Sequence, residues 1–134
     1  MPQVPSTPKR ILIADDHEVV RRRFCSLLES HDHFEVVAEA SNGAEAVDKA
    51  LKLNPDIVLL DVTMPIMDGI SAAIEIHKNR PAMPILIISM HEGAEMLRVV
   101  QSAGARAFVS KSDVSSSLLP AVDALLQGQT YFRK

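Results

Sequence analysis

Five short apolar runs recur along the chain, and the stretches that separate them carry apolar residues at helical spacing. The runs are rich in Ile, Val and Leu and occupy residues 11–14, 36–38, 57–60, 85–88 and 105–109. A continuous apolar run is typical of a strand that is buried on both faces. Strands that alternate with helices pair in parallel through right-handed crossovers, with helices on both sides of the sheet. The pattern therefore predicts an α/β fold, a doubly wound five-stranded parallel sheet built from five βα units.

The sequence between these runs predicts where the helices lie. The first helix has one apolar face, formed by Val20, Phe24, Leu27 and Leu28. The second begins after Asn42, the expected N-cap, with Glu45 as its capping-box partner. We expect further helices over residues 66–78 and 94–103, with Gly104 ending the latter. Because Pro120 is tolerated only in a first turn, we place the start of the last helix near Ser117.

Length and composition favour one domain in a reducing compartment. The 134 residues suit a single core, and the net charge of −3 does not suit a DNA-binding domain. A single cysteine and the absence of a membrane-spanning run or signal peptide lead us to expect a cytoplasmic protein that does not bind membranes. We expect residues 1–9 to be a disordered lead-in and residues 10–128 to be the domain.

Polar residues follow four of the predicted strands, at the point where each strand ends. They are Asp15, Asp16, Asp61, Ser89 and Lys111. Ligands of open parallel sheets bind at the carboxyl ends of the strands, so the fold should bring these side chains together. The sequence therefore predicts one polar site made of three carboxylates, a hydroxyl and an ammonium group.

Three clustered carboxylates need positive charge. At about 4 Å and an effective dielectric constant near 20, each pair repels by about 4 kcal/mol. Lys111 supplies one positive charge, and a divalent cation would supply two more. Oxygen ligands favour Mg²⁺ or Mn²⁺, and we assign no metal role to the five histidines, which do not cluster at ligand spacing. Beside such a cation, Asp61 could attack phosphorus and form an acyl phosphate.

These segments together resemble the receiver domain of two-component response regulators. The matching segments are the aspartate pair, D-V-T-M-P-I-M-D-G around Asp61, I-I-S ending at Ser89 and F-V-S-K ending at Lys111. The resemblance extends over about residues 10–128 and implies the flavodoxin-like strand order 2-1-3-4-5. Ser112 follows Lys111 where the family often has a proline and a cis bond, so the geometry of this bond is open.

The resemblance also implies a role for each site residue. Asp61 would accept a phosphoryl group from a phosphohistidine on a sensor histidine kinase. Asp16 would bind Mg²⁺ directly, Asp15 directly or through water, and Asp61 would be a further metal ligand. The other implied contributors are the backbone carbonyl of Thr63 as a metal ligand, Lys111 and Ser89 as partners of the phosphoryl group, and Phe108 as an aromatic switch that turns inward when Ser89 moves.

The segment ISMHEGAEMLRVVQSAGARAFVSKSD narrows the resemblance to the NarL/FixJ (LuxR-type) branch. Those receivers usually continue into a helix-turn-helix domain that binds DNA and controls transcription. We therefore expect residues 129–134 to begin a linker to such a domain, with a stand-alone receiver as the alternative. The resemblance also implies a phosphorylation-dependent homodimer, formed either through the helix 4–strand 5–helix 5 face or through helices 1 and 5.

Three other functions are alternatives to this interpretation. A phosphatase of the haloacid-dehalogenase type needs a second aspartate two residues after the nucleophile, where this chain has Thr63. A flavin- or nucleotide-binding module needs a Gly-rich or Ser/Thr-rich loop after the first strand, where this chain has ADDHE. A pseudo-receiver that serves only as an interaction surface stays open, although the complete set of polar residues argues against it.

Overall fold

A computed structural model describes residues 7–132 of the chain. Strands and helices alternate through most of this length. The strands are β1 (Lys9–Ala14), β2 (Phe34–Ala40), β3 (Ile57–Asp61), β4 (Ile85–Ser89), β5 (Ala107–Ser110) and β6 (Tyr131–Phe132). The helices are α1 (Glu18–Glu29), α2 (Gly43–Leu53), α3 (Gly69–Asn79), α4 (Ala94–Ser102) and α5 (Val114–Leu126), with a 3₁₀ turn at Lys111–Asp113 before α5.

All strands of the sheet are parallel, in the order β2-β1-β3-β4-β5-β6. The order 2-1-3-4-5 is confirmed, but the sheet has six strands where five were predicted. Residues 131–132, expected to belong to a linker, form β6 because they pair with the β5 edge and half-bury two aromatic side chains. At the other end, β1 begins at Lys9, inside the expected lead-in, of which residues 1–6 lie outside the described part of the chain.

Helices cover both faces of the sheet, as predicted, and each face has its own core. We call the first the α2–α3–α4 core, formed with the sheet by Ala46, Ala50, Ala72, Ala73, Ile76 and Val100. The second, the α1–α5 core, is formed with the sheet by Phe24, Cys25, Leu28, Leu118, Ala121, Val122 and Leu125. Alternate residues of β1 face opposite cores, Leu12 one way and Ile13 the other. Both faces of the central strands are therefore buried, which explains their continuous apolar runs.

Two helix starts differ from the prediction. Helix α5 begins at Val114, three residues before Ser117, and contains Pro120 in its interior. Pro120 has no N–H to donate to the carbonyl of Ser116. Because Ser116 is exposed, water can bind that carbonyl instead. Packing of the buried face of α5 in the α1–α5 core outweighs that loss.

Helix α3 begins at Gly69, three residues later than predicted. Ile66 has a φ of 70°, a left-handed value that does not occur within a right-handed α-helix. The side chain of Asp68 caps the helix by accepting a hydrogen bond from the N–H of Ser71 (2.7 Å). A Cβ at Gly69 would lie 2.1 Å from the carbonyl oxygen of Asp61, so only glycine fits there. The predicted cap of α2 is confirmed, since Asn42 accepts from the N–H of Glu45 (2.8 Å).

Candidate functional site

The fold gathers the predicted polar residues at the carboxyl edge of the sheet. Asp15 directly follows β1, Asp61 and Ser89 end β3 and β4, and Lys111 directly follows β5. Parallel pairing keeps these strand ends level, because Asp61 is in register with Ile88. The positions of these side chains thus follow from strand length and register.

Lys111 joins two buried carboxylates. Its Nζ lies 3.4 Å from Asp15 Oδ2 and 3.2 Å from Asp61 Oδ1. The side chains of Asp15 and Asp61 are 0% and 4% exposed, and that of Lys111 is 15% exposed. One ammonium group therefore sits between two carboxylates in a place where water can screen neither of them well.

The environment of Asp61 destabilises the charged form of its carboxyl group. Burial is the main cause, and together with the nearby charge of Asp15 it raises the pKa of Asp61 from 3.8 to about 6. The charge and hydrogen bond of Lys111 lower this pKa, while Asp16 raises it further. Lys111 thus offsets only part of the cost of burying Asp61, and the site has a deficit of positive charge.

The donor atoms beside Asp15 fit a hard divalent cation. Asp15 Oδ2 is buried and accepts no hydrogen bond within the described residues; Lys111 approaches it only as an ion pair at 3.4 Å. Ligand atoms of Asp15, Asp16 and His17 all lie within 4.8 Å of one another. Asp15 and Asp16 are two of the four predicted metal ligands. Of the other two, Thr63 is an exposed loop residue and Asp61 forms an ion pair with Lys111.

His17 is a neighbour of the site that the sequence interpretation left without a role. Its ring Nδ1 lies 3.2 Å from Asp16 Oδ1 and 3.7 Å from Asp15 Oδ1. Its backbone N–H donates a hydrogen bond to Asp15 Oδ1 (2.9 Å). The backbone contact fixes one carboxylate oxygen of Asp15 and leaves the other towards Lys111. Its position directly after the aspartate pair is the signal that could have identified it.

Ser89 and Phe108, the predicted switch residues, are both buried. The Oγ of Ser89 accepts from the N–H of His91 (3.0 Å), so in this state the hydroxyl binds its own loop and not Asp61. Phe108 is 5% exposed and belongs to the α2–α3–α4 core. The structure therefore brings Lys111 into contact with Asp15 and with Asp61, whereas the Ser89 hydroxyl is held by the N–H of His91.

Side-chain hydrogen bonds connect the loop after β4 to the end of β5, next to the site. Ser110 Oγ donates to Glu92 Oε2 (3.0 Å) and lies 2.9 Å from Ser112 Oγ. No cis peptide bond occurs within residues 7–132, so the Lys111–Ser112 bond is trans. These side-chain contacts hold the backbone on either side of Lys111.

Comparison with known proteins agrees with this geometry. The sequence profile of the response regulator receiver domain matches residues 11–123. The oxygen regulatory protein NreC of Staphylococcus epidermidis is 39% identical over 123 residues, 91% of this chain and 56% of NreC. A protein-glutamate methylesterase/protein-glutamine glutaminase of Vibrio cholerae is 41% identical over 88% of this chain and 32% of its own length.

A solved structure has the same architecture. The LuxR-family two-component response regulator from Aurantimonas superposes with a TM-score of 0.89 at 36% identity, over 93% of this chain and 89% of that one. The chain thus spans about half the length of NreC, whereas it covers 89% of the solved Aurantimonas chain. Within residues 7–132, no helix has both the length and the apolar character that crossing a membrane requires.

Proposed function

Because this chain belongs to the family of response regulator receiver domains, a family of signalling modules, we propose that it accepts a phosphoryl group on Asp61. The observation that supports this most directly is the position of Lys111, whose ammonium group lies within 3.4 Å of both Asp15 and Asp61. Such a group can hold a carboxylate and the phosphoryl oxygens that approach it. Membership of this family also removes the haloacid-dehalogenase phosphatases and the nucleotide-binding modules as alternatives.

The reaction proposed is a direct transfer to a carboxylate oxygen. An ionised oxygen of Asp61 forms a bond to phosphorus while the P–N bond of a phosphohistidine on a sensor histidine kinase breaks, and the leaving imidazole takes up a proton. A pKa of about 6 leaves Asp61 mostly ionised at neutral pH. Lys111 then pairs with the new phosphoryl group, and Ser89 leaves the N–H of His91 to donate its hydroxyl to the same group.

We assign the metal role to Asp15 and Asp16, with Asp61 and the backbone carbonyl of Thr63 completing the ligand set. The buried Oδ2 of Asp15 is the donor atom that supports this assignment best. When bound, Mg²⁺ or Mn²⁺ would neutralise the negative charge that gathers on the phosphoryl oxygens. The residues themselves position the acceptor: Lys111 holds Asp61, and the N–H of His17 holds Asp15.

Phosphorylation would act on an output domain beyond this chain. The NreC relatives are about twice as long as the region matched, and the solved relative is a LuxR-family regulator. We therefore propose a DNA-binding helix-turn-helix domain as the output, so that DNA is bound only through that domain. A phosphorylation-dependent homodimer fits the same scheme, through either of the two faces named above.

Intact mass after incubation with acetyl phosphate tests the proposal. With Mg²⁺, the wild-type chain is expected to gain about 80 Da, and Asp61→Asn is expected to gain nothing. Asp68→Asn is the matched control, because it removes a carboxylate from the same loop but keeps an N-cap for α3. A gain in Asp61→Asn, or none in the wild type with either acetyl phosphate or a phosphorylated kinase, would reject the proposal and favour a pseudo-receiver.

A further inference from the structure

The sheet edge beyond β5 carries a two-residue strand that takes no part in the site. Tyr131 and Phe132 of β6 pair in parallel with Ala107 and Phe108 of β5. The N–H of Tyr131 donates to the carbonyl of Arg106 (2.9 Å). Because β5 continues to Ser110, β6 covers only the first half of its edge.

The side chains of β6 connect this edge to both cores. Phe132 packs against the α2–α3–α4 core, to which Phe108 belongs, and Tyr131 packs against the α1–α5 core. Neighbouring strands lie about 4.8 Å apart. Phe132 is in register with Phe108 and packs on the same face of the sheet, so the two residues are cross-strand neighbours.

The Phe108 ring has free space beside it. A groove of about 620 Å³ runs between α4, β5 and α5, and Leu97, Phe108, Ser116 and Tyr131 are among the residues that line it. Most core side chains are enclosed on every side and cannot shift without strain. Phe108, although 5% exposed, borders this groove, so on one side it is next to open space and not enclosed by core side chains.

β6 is also the strand that can leave the sheet most easily. It contributes two residues, whereas each of the other strands contributes four to seven. Residues 127–130 before it are exposed, and Gly128 has a φ of 82° with no atom near its Cβ direction. A short strand on an exposed connection with a glycine is the kind of element that opens without global unfolding.

We propose that β6 is a displaceable edge strand that is coupled to the position of Phe108. This rests on the proposed function: phosphorylation of Asp61 draws Ser89 towards the phosphoryl group and Phe108 follows. Phe132 thereby loses its neighbour in the α2–α3–α4 core, and β6 separates from β5. The separation uncovers the β5 edge and opens the groove, so the state of Asp61 is expressed at the carboxyl end of the chain.

The chain carries its own probe for this movement, because Tyr131 is its single tyrosine and it has no tryptophan. We would measure acrylamide quenching of tyrosine fluorescence in the full chain with Mg²⁺, before and after adding beryllofluoride, an analogue of the phosphoryl group. Quenching by acrylamide is expected to rise about two-fold or more. Hydrogen exchange at the Tyr131 amide should accelerate in the same samples, since its bond to Arg106 is lost.

Variants and a binding control make the outcomes distinct. Fluorine NMR reports whether beryllofluoride binds. Asp61→Asn should show neither binding nor a rise in quenching. Tyr131→Phe, which has no tyrosine, gives the background fluorescence. Phe132→Ala should be strongly quenched before any addition and should change little afterwards. Bound beryllofluoride with unchanged quenching and exchange would overturn the coupling and leave the proposed function intact, whereas no binding to the wild type would overturn both.

Discussion

Replacing Asp61 by Asn should make the metal-free protein more stable. Its buried carboxylate lies near that of Asp15, and Lys111 is the one lysine or arginine of residues 7–132 that forms an ion pair with either of them. The pKa of Asp61 is about 6 in the folded chain against 3.8 for an ordinary carboxyl group. At 1.36 kcal/mol per pKa unit, this difference corresponds to about 3 kcal/mol of lost stability once the group is ionised.

The sign of the pH dependence follows from the raised pKa. Between about pH 4 and pH 6 the folded state binds more protons than the unfolded state, so stability falls as the pH rises through this window. Asparagine has no such titration. The variant should therefore exceed the wild type by about 3 kcal/mol at about pH 7.5, and by about half as much at about pH 5.

Urea unfolding in the presence of EDTA, monitored by circular dichroism at both pH values, measures this difference. Asp32→Asn is the matched control, because Asp32 is an exposed loop residue, and it should stay within about 0.5 kcal/mol of the wild type. Excess Mg²⁺ should then stabilise the wild type and have little effect on Asp61→Asn. Equal stability of the two proteins at pH 7.5, or a gain that does not shrink at pH 5, would refute the reasoning.

Three further substitutions test the local structure by urea unfolding. Gly69→Ala should destabilise the chain by about 3 kcal/mol, since its Cβ would meet the carbonyl of Asp61 at 2.1 Å, and a near-neutral result would contradict that contact. Pro120→Ala should stabilise it by about 2 kcal/mol, because alanine restores a hydrogen bond inside α5; a loss of stability would mean that the proline ring is needed for packing. Asn42→Ala should cost about 1 kcal/mol, and Asn42→Asp, which keeps the cap, should cost much less.

Helix ends show where local sequence signals were sufficient and where they were not. Asn42 caps α2 as predicted, because its side chain and the amide it binds are three residues apart. Pro120 suggested a helix start near Ser117, but α5 begins at Val114, because contacts in the α1–α5 core outweigh one missing hydrogen bond. Ile66 was placed in α3 on helical spacing, yet its backbone is left-handed and the helix starts after Asp68.

The sequence alone determined how strands and helices alternate along the chain and at which edge of the sheet the polar residues meet. Both follow from the period of apolar residues and from the rule that parallel strands end at one side. Only the tertiary structure decided that Lys111 lies between Asp15 and Asp61, that the pKa of Asp61 rises, and that Tyr131 and Phe132 form a sixth strand. These features depend on distances and burial between residues far apart in the chain, which no local pattern of residue types encodes.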